Sequence, residues 1–418
     1  MKRLLLLIPI LFIHCMVQAQ KKTPNLINHQ KDVFLTELFN KHATLKKILN
    51  RKGELNIQII YTQINRDQNN KPSFTDYTFN LNNQYFYPAS TVKMPIAFLA
   101  LEKLNELKKL NIDANTTMIT DSSAEKQSMV FTHPSAENSN PTIAHYIKQI
   151  FLVSDNDAYN RLYEFLGQAY IQQKLQQKGF KDAAIRHRLQ IALTAEQNKA
   201  TNAIQFLDTA GNVLYNQPAQ YSQAIFPTYN AKLGNGYYKG NKLINEPFDF
   251  STKNRIYLQD LHQILRSVLF NEFMPKKQRF NLTPNDESFL LKWMSAYPKE
   301  STFPFYDSTN YWDSYCKFLL LGSEKTTPPN NIRIFNKVGD AYGFLIDNAY
   351  IIDTKNNVEF MLSATINCNT DGIYNDDKYE YESIGFPFMK QLGEAIYAHE
   401  LNRKKKHTPN LTKFILQY

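Results

Sequence analysis

Cysteine is scarce in this chain, which has 3 cysteines among its 418 residues. So few cysteines exclude a small domain held together by disulfides, and they exclude a zinc site built from several thiolates. Cys15 lies in an apolar segment near the start of the sequence, so Cys316 and Cys368 are the pair to consider. The sequence leaves two alternatives open for them, a disulfide or two buried free thiols.

Long apolar runs are also nearly absent. Leu4 to Ile13 form one apolar run behind the basic residues Lys2 and Arg3, and it is shorter than the roughly 20 residues that span a bilayer. A short apolar run, preceded by basic residues and followed by the small residue Ala19, is typical of a secretory signal peptide. We predict a signal peptide over residues 1–19, export to the bacterial periplasm, and no stable membrane span after cleavage. A retained N-terminal anchor is the alternative.

Acidic residues are outnumbered by basic ones: Lys and Arg total 48, Asp and Glu total 38, and the net charge is +10. Such an excess is typical of proteins that bind nucleic acid or anionic surfaces. Two of these charges, Lys2 and Arg3, belong to the predicted signal peptide, and the others are scattered apart from a run at residues 403–406. We interpret that run as part of a solvated tail, and we predict no nucleic-acid partner.

The rest of the composition, 43% hydrophobic, is that of a globular chain with a sizeable core. Apolar periodicity and alternation predict the helices and strands. The predicted helices lie at about residues 31–50, 91–110, 142–152, 157–166, 258–269, 286–294 and 379–401. The predicted strands lie at 56–61, 75–81, 332–335, 344–352 and 358–366, with a hairpin at 202–215 and an irregular stretch at 216–250. Early and late strands around a helical middle predict one sheet built from both ends of the chain.

The tetrapeptide Ser90-Thr91-Val92-Lys93 opens a long apolar helix, and this context distinguishes it from the same S-x-x-K pattern at Ser123 and Ser314. Residues three apart share one helix face, so Lys93 is expected beside the Ser90 hydroxyl. Burial at such a position lowers the pKa of a lysine and lets it act as a base. Backbone N–H groups at the helix start can stabilise an oxyanion. The alternative is an N-cap serine beside an exposed lysine.

Two further motifs carry groups suited to the same chemistry. Ser154-Asp155-Asn156 falls between two predicted helices, where a hydroxyl can relay a proton and an amide can orient a carbonyl; an ordinary helix N-cap is the alternative. Lys337-Val338-Gly339 ends a predicted strand before a turn at residues 340–343, where lysine attracts an anion and glycine permits close approach of a substrate backbone. Lys232-Leu233-Gly234 repeats that pattern, but it lies in the irregular stretch.

Taken in order, the three motifs resemble the S-x-x-K, S-D-N and K-T-G signature of the serine β-lactamase and penicillin-binding-protein superfamily, and the sequence is most similar to class A β-lactamases. The resemblance covers about residues 30–200 and 250–400. It implies an α/β (α+β) fold of three layers, with a five-stranded antiparallel sheet flanked by helices and an all-helical lobe. It also implies one hydrolase domain over residues 28–405, with an insertion at about 200–250 and a basic tail at 406–418.

The same resemblance assigns roles to individual residues. Ser90 is the acylated nucleophile, Lys93 its general base, and Ser154 passes a proton to the leaving group. Substrate binding falls to Asn156 for the amide and to Lys337, with Gly339 beside it, for the carboxylate. The backbone N–H groups of Ser90 and Asp340 form the oxyanion hole. No metal or organic cofactor is implied.

The sequence departs from the family pattern at two places. Val338 stands where the family has a threonine or serine hydroxyl, which puts β-lactam recognition in doubt more than acylation. The usual spacing from Arg188-Leu189 places Leu193 where class A enzymes carry the deacylating glutamate. Glu196 is the nearest candidate for that role, three residues further on, and a solvent-exposed loop glutamate is the alternative.

We therefore expect an exported serine hydrolase that forms an acyl-enzyme at Ser90 and hydrolyses β-lactams. One alternative is a peptidase or slow penicillin-binding enzyme that acts on cell-wall peptides of the D-Ala-D-Ala type. An alternative of another class is a non-catalytic binding protein on the same fold. Ser90, Lys93 and Ser154 together argue against it, because a pure binding protein has no need of all three.

Overall fold

The structure is a computed structural model that describes residues 26–82 and 84–418, and the side chains from residue 33 onward within those ranges. The predicted signal peptide, residues 1–19, lies outside the described residues. The helices of the structure are Leu26–Asn40 (α1), Ala43–Leu49 (α2), Lys93–Leu107 (α3), Ile143–Val153 (α4), Asn156–Leu166 (α5), Gln168–Gln177 (α6), Ala195–Lys199 (α7), Leu258–Leu269 (α8), Pro284–Ser295 (α9) and Phe386–Asn402 (α10). None of the described helices is long and apolar enough to cross a membrane.

The strands are Gln58–Arg66 (β1), Pro72–Phe79 (β2), Thr117–Thr120 (β3), Ala200–Thr201 (β4), Ile204–Leu207 (β5), Val213–Gln217 (β6), Gln220–Tyr221 (β7), Lys232–Leu233 (β8), Gly236–Lys239 (β9), Lys242–Ile244 (β10), Phe248–Asp249 (β11), Ile332–Ala341 (β12), Phe344–Asp353 (β13), Val358–Asn367 (β14) and Ile373–Tyr374 (β15). Five of them form an antiparallel sheet in the order β12-β13-β14-β1-β2. The two ends of the chain therefore meet in one sheet, as the sequence predicts, and β12 is an edge strand.

Helices cover both faces of this sheet. On one face, α1, α2 and α10 contribute buried Leu35, Leu45 and Leu392 to a core against the strands. On the other face, α8 and the helical lobe of α3, α4, α5 and α9 form a larger core. Three layers with a five-stranded antiparallel sheet confirm the predicted fold class.

Local side-chain chemistry explains the turns of the sheet. The Asp67 carboxylate accepts the N–H groups of Asn69 and Lys71, each at 2.9 Å, and so closes the β1–β2 hairpin at the predicted turn. Tyr342 and Gly343 both have positive φ, 54° and 78°, which is the geometry of a two-residue turn between β12 and β13. Because two residues are enough there, β12 continues to Ala341, and the predicted turn at 340–343 is corrected.

Several predicted boundaries are corrected in the same way. The helix predicted over 31–50 is broken between α1 and α2, and the polar helix α6 was not predicted. The final helix begins at Phe386, after a wide helical turn over Tyr381–Gly385. The C-terminal segment 406–418 is not a solvated tail, because Leu411 and Phe414 are buried in the larger core.

The insertion at residues 200–250 is more ordered than the predicted irregular stretch. Its strands β5 and β6 form the predicted hairpin and pair with β3, and β8 pairs with β11. Strand β9 pairs with β10 and also with β15, which follows the main sheet in sequence. The insertion is therefore tied to the same end of the molecule as the β12–β13 turn. Cys316 and Cys368 are both buried and unpaired.

A buried ion network fixes the loop that follows α6. The Glu164 carboxylate of α5 accepts from Arg161 at 3.0 Å and from Arg188 at 2.7 Å, and all three side chains are about 2% exposed. Removing one partner of a buried ion pair leaves an uncompensated buried charge, which costs more than the pair itself contributes.

We predict that Glu164→Gln lowers the free energy of unfolding by about 3–5 kcal/mol, because buried Arg188 loses its acidic partner and buried Arg161 keeps only Asp157. The exposed pair of Arg51 and Glu54 is the matched control, and Glu54→Gln should cost less than about 1 kcal/mol. Urea denaturation of the two variants measures the difference. Equal losses would show that the buried network is not what holds this loop.

Candidate active site

Ser90 lies in a tight helical turn, Ala89–Val92, directly before α3. The backbone N–H and the hydroxyl of Thr91 both donate to the Pro88 carbonyl, at 3.0 and 2.6 Å, and they hold this turn closed. Ala89 has a φ of +46°, a conformation that costs energy for a residue with a side chain. The turn presents a half-buried Ser90 to the cleft between the sheet and the helical lobe.

Gly339 of β12 packs against the backbone of this turn. A Cβ atom at position 339 would lie 2.8 Å from the Ser90 nitrogen and 3.0 Å from the Pro88 oxygen, closer than such contacts occur. Gly339 therefore lets the edge strand approach the turn that carries Ser90. Packing against this turn is a reason for the glycine that the sequence did not reveal, and Gly339 stays a predicted substrate-binding residue.

Lys93 is fully buried one turn beyond Ser90, so the alternative of an exposed lysine is excluded. Its Nζ donates to the backbone carbonyl of Ser154 and, at 2.7 Å, to Asn156 Oδ1. Ser154 Oγ lies 3.3 Å from the same nitrogen. Burial lowers the pKa of Lys93 well below its usual 10.5, and the positive charge of Lys337 lowers it further.

The lowered pKa favours a neutral Lys93, and its contacts can be assigned for that form. A neutral amine has two N–H donors and one lone pair, and the Ser154 carbonyl and Asn156 Oδ1 are both pure acceptors that take the two donors. The lone pair is then left for a hydroxyl. Within the described residues, no hydrogen bond joins Lys93 to Ser90 Oγ, and the hydroxyl in contact is that of Ser154.

Lys337 approaches Ser154 from the opposite side. Its Nζ donates to Ser154 Oγ at 2.7 Å and to the carbonyl of Val338 at 2.9 Å. The side chain is 1% exposed, and burial lowers its pKa. Ser154 Oγ therefore lies between two buried lysines, and the structure brings together Ser90, Lys93, Ser154, Asn156 and Lys337 as the sequence predicts.

The helix ends on either side of Ser154 explain its position. Ser154 ends α4 in the left-handed conformation, with a φ of 61°. Asp155 is then the N-cap of α5, because its carboxylate accepts the N–H of Ala158 at 2.8 Å. The helix N-cap that the sequence offers as an alternative is thus present at Asp155, and it directs the neighbouring Ser154 and Asn156 into the cleft.

Gln190 is a site residue that the sequence did not reveal. Its Oε1 accepts from Asn156 Nδ2 at 2.7 Å, and its side chain lines the cleft together with Ser90. Asn160 fixes the preceding residue by exchanging hydrogen bonds with both backbone groups of Leu189, at 2.9 and 3.0 Å. The sequence signal that could have identified Gln190 is its position immediately after Arg188-Leu189, the pair that marks this loop.

Glu196 lies away from this cluster. Its side chain is 65% exposed and pairs with Lys199 at 3.0 Å, and it does not line the cavities that contain Ser90. The expectation that Glu196 is the deacylating base is therefore corrected, and the exposed loop glutamate weighed as its alternative describes its position. Leu193, at the family's glutamate position, is half-buried and lines a cavity that adjoins the one containing Ser90.

Asp340 lies on the cleft side of the edge strand. Successive residues of a strand point to opposite faces, so Val338 and Asp340 share one face while Lys337 and Gly339 share the other. In the β12–β13 register, which closes at Ala341 and Phe344, the N–H of Asp340 points away from β13 and toward the open edge. That direction suits the predicted oxyanion role. The Asp340 carboxyl is exposed to the cleft. The protein around it still removes part of its hydration, and this desolvation raises its pKa.

Ser90 borders two open cavities. One, of about 440 Å³, is lined by tyrosines that include Tyr87, Tyr342 and Tyr381. The other, of about 750 Å³, is lined by Trp312 and further aromatic residues. A substrate can therefore extend from the nucleophile in both directions. Within residues 26–82 and 84–418, no three His, Cys, Asp or Glu side chains are grouped so that they could hold a metal ion.

Residues 41–222 match the model of the beta-lactamase enzyme family. The match contains Ser90, Lys93, Ser154 and Asn156, and it confirms the resemblance inferred from the three motifs. A comparison with curated proteins gave no match.

The solved structures found by comparison share little sequence with this chain. A beta-lactamase from Xanthomonas campestris pv. campestris str. ATCC 33913 is 13% identical, over 84% of this chain and 98% of that one, with a TM-score of 0.46. The protein PBP-A is 15% identical, over 87% and 97%, with a TM-score of 0.46. A class A beta-lactamase described as the last common ancestor of Gram-negative bacteria is 14% identical, over 85% and 98%, also with a TM-score of 0.46.

We predict that the rate of serine acylation rises with pH as Lys93 loses its proton, with a midpoint below 10.5. In Lys337→Met the midpoint should move to higher pH, because a positive charge that lowers the pKa of Lys93 is gone. Stopped-flow acylation rates across a pH series measure both midpoints. Lys325→Met is the control, since Lys325 lies at the cleft but is not among the charges that act on Lys93. An unchanged midpoint in Lys337→Met would contradict the coupling.

Proposed function

We propose, from the membership of residues 41–222 in the β-lactamase enzyme family, that this chain is a serine hydrolase that forms an acyl-enzyme at Ser90. The observation that carries the proposal is the Ser154 hydroxyl, which is held between the buried side chains of Lys93 and Lys337. Lys93 itself lies one helical turn from Ser90. The substrate is an amide of the β-lactam or cell-wall-peptide class.

Acylation follows from the protonation states of this cluster. Neutral Lys93 accepts the proton of Ser90 Oγ, and Oγ attacks the substrate carbonyl. The N–H groups of Ser90 and Asp340 stabilise the oxyanion as the tetrahedral intermediate forms. Ser154 Oγ then gives its proton to the leaving nitrogen and recovers one from Lys93. The C–N bond breaks, and an ester to Ser90 remains.

Deacylation differs from that expected of a class A β-lactamase. The side chain of the loop that reaches the site is Gln190, and its carboxamide does not accept a proton at neutral pH. Without a carboxylate base at that place, water attacks the ester slowly. A long-lived acyl-enzyme favours a peptidase or slow penicillin-binding enzyme over rapid β-lactam hydrolysis, which we retain as the second candidate because the family match favours it.

The groups that would bind the substrate carboxylate also differ from the family pattern. Val338 supplies no hydroxyl, and the buried Lys337 ammonium is used on Ser154 and on a backbone carbonyl. A substrate carboxylate would therefore contact Ser154 Oγ, with Lys337 acting behind it through its charge. We expect weaker selection for the β-lactam carboxylate than the K-T-G signature provides.

We further propose that the chain acts after export, in the periplasm, where cell-wall peptides and β-lactams are both accessible. The basic and apolar start of the sequence supports this proposal. No nucleic-acid partner is proposed.

The proposed acyl-enzyme is tested by incubating the mature protein with a fluorescent penicillin and measuring the adduct by intact mass and peptide mapping. We expect one adduct, on the peptide that contains Ser90, and none in Ser90→Ala. Ser123→Ala is the matched control, because Ser123 has the same S-x-x-K spacing on the surface. An unlabelled Ser90 with every β-lactam and peptide ester tried would favour the non-catalytic binding protein.

We predict that Gln190→Glu shortens the lifetime of the acyl-enzyme by at least about tenfold, since it places a carboxylate base next to Asn156 and Ser90, where general bases typically contribute 10²–10⁴-fold. The decay of the fluorescent adduct after removal of free penicillin measures the lifetime. Glu196→Gln should leave the decay rate unchanged. A decay rate that responds to Glu196→Gln and not to Gln190→Glu would show that Glu196 is the deacylating base.

A further inference from the structure

A third cavity, of about 530 Å³, opens beside the tyrosine-lined cavity that contains Ser90. The two share Tyr87, Leu189, Gln190 and Tyr342 as lining residues, so they form one continuous cleft. One wall of the third cavity is the loop around residues 188–199. The opposite wall is the insertion and the turn that follows it, through Ala224, Phe226 and Lys253. We call this space the basic cavity.

Charge in the basic cavity has one sign. Its lining residues include four cationic side chains and no carboxylate: Arg186, Arg188, Lys199 and Lys253. Two of these charges are neutralised from outside the cavity, because Arg188 pairs with Glu164 and Lys199 pairs with Glu196. Arg186 and Lys253 are the two charges that remain.

Arg186 has no acidic partner among the described residues. One terminal nitrogen donates to the carbonyl of Pro227 at 2.8 Å and the other to that of Ser251 at 3.4 Å, so the side chain also anchors the insertion. The guanidinium lies 4.8 Å from the ring of Phe226, and its Nε has no described acceptor. Burial lowers the pKa of Arg186, and so does neighbouring Arg255.

Lys253 is the second uncompensated charge. Its Nζ lies 5.9 Å from the ring centres of both Phe248 and Tyr342, and no ion pair joins it to a carboxylate of the described residues. Burial lowers its pKa, which means that the protein disfavours its charge without compensating it. Two partly buried cations without counter-charge attract an anion.

We propose that the basic cavity binds a carboxylate on the acyl part of an elongated substrate, with Arg186 and Lys253 as its counter-charges. The proposal rests on the acyl-enzyme function at Ser90 and adds a substrate class to it. The intervening cavity carries Asp340 and Asp377, which repel an anion on the acyl side of Ser90. The same field therefore directs the anionic end away from Ser90 and toward the insertion.

The insertion contributes to this anion site by shielding the Arg186 guanidinium. Its backbone accepts from Arg186, and Phe226 covers the guanidinium, so the segment between β7 and β8 excludes water from one side of the charge. A charge-assisted hydrogen bond strengthens when water is excluded. A shorter connection at this place would leave Arg186 in open solvent.

The test uses two penicillins made from 6-aminopenicillanic acid, one acylated with adipic acid and one with its monoamide. They differ only in whether the acyl chain ends in a carboxylate or a carboxamide. Acylation rates are measured on wild-type protein, on Lys253→Gln and Lys253→Glu, and on the control Lys242→Gln, an exposed lysine of the insertion. Position 253 is chosen because Lys253 makes no described hydrogen bond whose loss would disturb folding.

Binding is measured separately from acylation by equilibrium dialysis of the two penicilloic acids, whose opened ring cannot acylate Ser90. We expect wild-type protein to prefer the carboxylate about tenfold, in the range of one charge-assisted hydrogen bond. The preference should fall in Lys253→Gln, reverse in Lys253→Glu and persist in Lys242→Gln.

Equal binding of the two acids by wild-type protein, or a preference that survives Lys253→Glu, would overturn the proposal. Preferential binding without any adduct at Ser90 would support the basic cavity and contradict the proposed acyl-enzyme. The two failures are therefore distinguishable.

Discussion

The hydroxyl of Ser154 lies between the side-chain nitrogens of two buried lysines, and the chemistry of the site depends on this contact. Two ammonium groups so close and so poorly solvated repel each other, so one of them gives up its proton more readily. Lys93 is the one that loses its proton, because burial and then the charge of Lys337 lower its pKa well below the usual value. We infer that the arrangement provides a neutral base one helical turn from Ser90 and keeps a positive charge at Lys337.

The fold makes this contact by bringing together three segments distant in sequence. The buried start of α3 supplies Lys93, the junction of α4 and α5 supplies Ser154, and the edge strand β12 supplies Lys337. The absence of a side chain at Gly339 lets β12 approach the nucleophile turn closely. The insertion and the loop after α6 then form the outer part of the cleft, where the family pattern is least followed and the charge is positive.

Much of this arrangement was predictable because it rests on local rules. An apolar helix start, an N-cap at Asp155 and the apolar runs of β12, β13 and β14 each have a sequence signature, and their order along the chain matches a known family. What the sequence did not reveal depends on contacts between distant segments. Gln190 enters the site only because Asn160 holds the neighbouring backbone, and α6 was missed because glutamines dominate a helix whose buried contacts are few. The docking of Phe414 on the core likewise has no local signal.

The most direct test of this account is the protonation state of Lys93. NMR of protein labelled at the lysine side chains, with the signal assigned through Lys93→Arg, follows the titration of its amino group. We predict that Lys93 loses its proton well below pH 10.5, while the exposed lysines remain charged. A Lys93 that titrates together with the exposed lysines would contradict it, because the buried cluster would then hold two ammonium groups and no base.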